Sequence, residues 1–153
     1  VATTRDIKTI DHGLLKFINR RNKIDGHGVK FGIQADAGKD EDGKVDILDY
    51  ALINEYGTET IPSRPFMRDF FEKNRRPLSM AMDRAAGLVD EGKPVGQVLA
   101  QMGVLVEGQQ KLHVREAHLW AEPNADSTKA RKKSDKPLIH HGLLAGAIRY
   151  VKI

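Results

Sequence analysis

Apolar residues recur at three-and-four spacing through Ile7, Ile10, Leu14 and Phe17. With Thr3 placed as an N-cap and Asp6 in the first turn, they predict an amphipathic helix over residues 4–21. After the turn Asp25-Gly26-His27-Gly28, the residues Val29, Phe31 and Ile33 alternate with polar ones, the period of a half-buried strand. A second strand-like run covers Lys44 to Leu48, so the two are expected to pair antiparallel. Between them Ala35 to Gly43 is rich in Gly, Asp, Glu and Lys and reads as a hairpin tip.

From Tyr50 the pattern changes. Gly57 is placed to turn the backbone where Tyr56 leaves the sheet, and Pro62 and Pro65 stiffen the connection, with Pro65 presetting a first helical turn. Phe66, Met67, Phe70 and Phe71 form an apolar face behind it. Pro77 is expected to end or kink that helix, and Leu78, Met82, Ala85, Ala86 and Val89 continue a helical stripe up to Gly92. A third helical period runs from Val98 through Met102, Leu105, Gln109 and Leu112 to Leu119. It is weakened by Gly103 and Gly108, each costing about 1 kcal/mol relative to Ala. Trp120 closes it, Ala121 to Lys136 reads as a polar loop that orders against a partner, and Ile148 to Ile153 reads as a short final strand. The element order predicts an α+β fold: a small antiparallel sheet with helices packed on one face, and long polar loops, over one domain spanning residues 1–153.

Composition narrows the classes. A chain of 153 residues, 40% hydrophobic and 30% charged, is ordinary for a globular domain. The absence of cysteine excludes disulfide scaffolds, thiolate metal sites and a cysteine nucleophile. No apolar run approaches the roughly 18–20 residues that span a bilayer, and Val1 to Lys8 lacks the order of a signal peptide. The expectation is a soluble protein made in a cytoplasm, without membrane contact. A net charge of +4 is a mild excess that names no partner.

Several stretches resemble chemical motifs and fail on inspection. Gly38 to Gly43-Lys44 and Gly87 to Gly92-Lys93 have phosphate-loop spacing, but both lack the Ser or Thr that would hold magnesium. The first also reads as a calcium loop on Asp40, Asp42 and Gly43, yet its first and twelfth positions are Gly38 and Asp49. Of the six histidines, His113 and His118 lie five apart, about 140° around a helix, and read as surface residues rather than a zinc pair. None of Ser63, Ser79, Ser127 and Ser134 sits in a nucleophile elbow. No catalytic set or cofactor site is expected. The run Lys129, Arg131, Lys132, Lys133 and Lys136 has three readings: a solvated face, an arm docking on an acidic neighbour, or an arm on phosphates. It has no interleaved aromatic for base stacking.

Two longer stretches are more specific. Tyr50-Ala51-Leu52-Ile53-Asn54-Glu55-Tyr56-Gly57-Thr58, followed by Ile61-Pro62-Ser63-Arg64-Pro65-Phe66-Met67-Arg68, resembles the signature of tailed-phage minor tail proteins. This is the virion morphogenesis or tail-completion family related to the gene G product of Mu-like phages. Trp120-Ala121-Glu122-Pro123, Ser127-Thr128, Ala130-Arg131-Lys132 and Lys136-Pro137-Leu138-Ile139 are similar to the same family's C-terminal block, so that matches run in order over residues 46–153. At the next turn His140-His141-Gly142 stand where the family has Asp-Thr-Gly. The resemblance implies a non-enzymatic structural subunit of the virion, a homo-oligomeric ring at the neck or upper tail, six copies being one option. It would complete the tail for head–tail joining, with other neck or tail proteins as partners and incidental contact with DNA in the channel. The alternatives are a tail terminator and a basic nucleic-acid-binding module. Candidate contacts are Glu55, Tyr56, Arg64, Arg68, Lys129, Arg131, Lys132, Lys133, His140 and His141, with Phe66 as the structural anchor.

Overall fold

The computed structural model describes residues 13–40, 43–132, 137–138 and 142–153. The first nine residues of the predicted N-terminal helix, together with Lys133, Lys136, His140 and His141, lie outside them. Helix α1 is Leu14–Asn22, strand β1 Val29–Ile33, α2 Ile47–Tyr56, α3 Phe66–Asp90 and α4 Val95–Arg115. A 3₁₀ turn at Ala117–Leu119, α5 at Asp126–Lys132, α6 at Leu143–Ala147 and β2 at Ile148–Lys152 follow. The fold is α+β: β1 and β2 form a two-stranded antiparallel sheet, in register from Val29 opposite Lys152 to Ile33 opposite Ile148. Helix α4 packs across both strands, α3 lies beside α4, and α2 packs on α3 and α6.

Three expectations are corrected. Lys44 to Leu48 is not the second strand, because the Asp46 carboxylate accepts from the amides of Leu48 and Asp49 and so starts α2. The partner of β1 comes instead from the end of the chain, and Tyr56 and Gly57 leave a helix rather than a sheet. Gly57 has a φ of 76°, and a Cβ there would stand 2.8 Å from the Ser63 amide nitrogen, so the turn closes only on glycine. Pro77 does not end α3, which runs through it for 25 residues. Its ring and the neighbouring Lys73 are exposed, so water can take the Lys73 carbonyl left without an amide, and strong helix formers on both sides carry the propagation. The segment after Trp120 is partly helical, with Lys129 paired to Asp126 across the first turn of α5.

Gly103 and Gly108, the two glycines within the expected helical period of α4, differ. At Gly103 an added Cβ would stand inside the Tyr150 ring, whereas at Gly108 nothing lies within 4 Å. Gly103 is the close approach that lets β2 lie on α4; Gly108 only weakens the helix. Gly108→Ala is therefore expected to raise stability by up to about 1 kcal/mol. The same substitution at Gly103 should lower it by about 1–3 kcal/mol through overpacking. Urea titrations of the two variants check this.

The core joins Phe66, Val114, Ala117, Leu138, Leu144, Ala145, Ile148 and Ala51. Above it, Phe31 of β1 stacks on Phe71 at 5.2 Å, and Phe71 meets Phe70 edge-on, the arrangements aromatic quadrupoles favour.

Candidate functional site

The start of α3 lacks a cap of its own, since Pro65 precedes it and offers no side-chain acceptor. Glu55, at the end of α2, supplies one. Its carboxylate accepts from the amides of Met67 at 2.9 Å and Arg68 at 3.2 Å, and pairs with the Arg68 guanidinium at 3.0 Å. A buried acid at the positive end of a 25-residue helix satisfies two orphan amides and the dipole together. Arg68 also donates to the Glu55 carbonyl and lies over the Tyr56 ring at 5.2 Å. The Ser63 hydroxyl donates to the same Glu55 carbonyl, and the Arg64 amide to the Asn54 carbonyl. The corner between α2 and α3 is thus closed by its own polar groups.

Arg64 reaches further. Its side chain is buried and donates from Nε to the Glu122 carbonyl at 2.7 Å and from Nη2 to the Pro123 carbonyl at 3.0 Å. Burial pulls the guanidinium below its ordinary pKa, against the opposing effects of Tyr50 and Glu122. The first sequence block is in this way clamped to the second. Leu138, from the same second block, is buried against Phe66 and Ala117, and its backbone is held at a φ of 57°. A left-handed leucine is sterically costly, so the core around it holds the turn in place.

Of the predicted contact residues, the structure brings Glu55, Tyr56, Arg64, Arg68 and the anchor Phe66 to this corner. Glu55 and Arg64 are engaged inside the chain, so they are not free outward contacts; Tyr56 is 67% exposed and Arg68 faces outward beside it. Exposed Leu52 and Ile53 extend the apolar surface on α2. Lys129, Arg131 and Lys132 sit apart on α5.

Two features were not legible in sequence. One is a groove of about 850 Å³ between β1, α3 and α4, with Val29 and Phe31 on its wall and Leu78, Met82, Val98 and Met102 among its lining residues. Its residues come mainly from these three elements, joined by Ile24, His27 and Gly28 ahead of β1, and each element alone reads as an ordinary amphipathic face. The other is His113, expected at the surface but packed flat on Trp120 at 4.5 Å, with Nε2 3.0 Å from the Asp69 carboxylate. The Trp120 indole donates to the His113 carbonyl, and Lys73 also reaches Asp69. His118 is exposed, as expected.

Burial pushes the His113 imidazole below the ordinary histidine value of 6.5, with Asp69 pulling the other way. The neutral ring is therefore the folded form. Its contribution to stability is complete above about pH 6.5 and is lost as pH falls through the lower folded-state pKa. Melting temperature is expected to drop between pH 7.5 and 5.5, with a shallower slope in His113→Gln. Equal slopes would mean that the ring does not titrate as a buried neutral group.

The near-phosphate loops are used internally. The Asp40 carboxylate accepts from the amides of Lys44 and Val45, which a phosphate would need. Gly92 lies at the carboxyl end of α3, where carbonyls rather than amides are exposed. Among the described residues no three His, Asp or Glu side chains cluster to hold a metal ion, and no helix is long and apolar enough to cross a membrane. Compared with protein-family models, curated proteins and solved structures, the chain finds no match.

Proposed function

We propose that this chain is a structural subunit of a tailed-phage virion, assembling as a ring at the neck or upper tail and completing the tail for joining to the head. The observation that carries the reading is the Arg64 clamp. The two blocks that resemble the tail-completion family lie far apart in sequence, and a buried guanidinium joins them through the carbonyls of Glu122 and Pro123. Chance similarity in two separate stretches gives no reason for them to form one unit. Around that unit the surface suits subunit contacts: Tyr56 with Arg68 on one corner, and exposed Val104, Leu105 and Leu112 on α4. A rigid body with such patches assembles by symmetric contacts, and closed symmetry limits growth.

Electron microscopy of particles carrying a tagged chain tests this, with density expected as a ring at the neck or upper tail and headless or tailless particles when the chain is omitted. In solution the free chain is expected to be a monomer or weak oligomer by light scattering. Normal, infectious particles assembled without the chain would overturn the proposal. Lys132→Ala with Lys133→Ala separates the nucleic-acid reading. On the docking role it leaves the fold intact and lowers incorporation. On a DNA role it weakens duplex binding across sequences and flattens the salt dependence by about one unit per lost phosphate contact.

A further inference from the structure

We propose that the outer edge of β1 receives an extended segment of another polypeptide as an added third strand, laid in the apolar groove. The hydrogen-bond phase of the sheet shows which backbone groups are free. Gly28 and Ile153 exchange amide-to-carbonyl bonds of 2.8 and 2.9 Å just before β1. In an antiparallel ladder the bonded residues alternate, so Lys30 and Gly32 bond inward to β2 while Val29, Phe31 and Ile33 direct their amides and carbonyls outward. Among the described residues these outward groups meet no hydrogen-bond partner, and β1 has no neighbour but β2.

The opposite edge is closed. The Tyr150 amide of β2 donates to the Glu107 carboxylate at 2.9 Å, so a strand approaching there would have to displace a charged acceptor. The β1 edge has no such guard: no proline and a single lysine, Lys30. Natural proteins usually blunt an unpaired edge. This one instead borders the groove whose wall is Val29 and Phe31.

Edge and groove together specify the occupant. A row of unpaired amides and carbonyls is matched by extended backbone, and a strand lying on it turns every second side chain toward Leu78, Met82 and Met102. A helix could fill the groove but would leave the edge unpaired, and a small apolar molecule offers no repeating donors and acceptors. The two methionines adapt to side chains of varied shape. The segment therefore has apolar residues at alternate positions and is read mainly through its backbone. This inference does not rest on the virion reading, because it concerns only the chain's own edge.

The test uses the full chain, isotope-labelled, and a capped peptide with the alternating sequence of residues 28–34, Gly-Val-Lys-Phe-Gly-Ile-Gln. Binding is expected to shift the amides of Val29, Phe31 and Ile33 and slow their hydrogen exchange. Two further peptides, N-methylated at the Val, Phe and Ile positions or at the Lys and second Gly positions, present opposite edges. One should lose at least about tenfold in affinity, as expected for two or more lost backbone bonds, while the other keeps it. Val29→Pro deletes one outward amide and none of the ladder to β2; it should weaken binding severalfold with the melting temperature held. Equal affinity of the two methylated peptides overturns the proposal, as does a groove that takes dodecanoate but no peptide. Self-association of the free chain that protects the same amides hands the edge to a second copy and also overturns it.

Discussion

Phe66→Ala is expected to cost about 3–5 kcal/mol, enough to unfold much of the population of a marginally stable domain. Phe66 is 1% exposed and packs in one cluster with Val114 of α4, Leu144 of α6, Ile148 of β2 and the strained Leu138. Truncation removes the transfer energy of a ring and leaves a cavity that four different elements would have to move to fill. Collapse there is resisted because Glu55 pins the adjacent amides of Met67 and Arg68. Urea titration with tryptophan fluorescence checks it, since Trp120 borders the same cluster. An unchanged midpoint would require Phe66 to be an exposed contact residue.

The second large effect is expected at Arg64. Arg64→Leu keeps much of the stem's volume but leaves the carbonyls of Glu122 and Pro123 without their donors. Two charge-assisted bonds from a buried guanidinium put the loss at about 3 kcal/mol. Arg64→Lys should recover part of it, because an ammonium is a point donor and cannot reproduce the fork spanning two successive carbonyls. Since the clamp holds the segment leading into α5, limited proteolysis should cleave Arg64→Leu faster between residues 121 and 132 than elsewhere. Uniform acceleration along the chain would mean that Arg64 supports the fold globally and not this junction.

The helices α3 and α4 and the strand β1 are legible in sequence because each is decided within a few residues. Phe66 and Phe70 sit one turn apart at the start of α3 and Val29, Phe31 and Ile33 alternate, whereas on α4 the expected stripe marks the helix but not its buried face: Leu105, Leu112 and Leu119 are exposed, and Val98, Val106, Gln110 and Val114 are buried. The α+β class follows from that order of patterns. Where two local readings compete, the short window misleads: Val45-Asp46-Ile47 alternates like a strand, yet Asp46 is an N-cap whose helix becomes visible only through Ala51 and Asn54, further along. Pro77 does not end its helix, since its cost is local and the propagation that outweighs it spans both flanks.

What decides this protein's surface is non-local. The strand that pairs with β1 starts 115 residues after Ile33, at Ile148, and its choice depends on Gly103 admitting Tyr150 against α4. The acid that caps α3 is 12 residues upstream of Met67, and the carbonyls that hold Arg64 are 58 and 59 residues away. Such pairings carry no period, because their geometry exists only after loops have closed and helices have packed. The same holds for the groove beside β1: chain order supplied its apolar residues, and only the packing of three elements left them facing a common space with an unpaired edge along its wall.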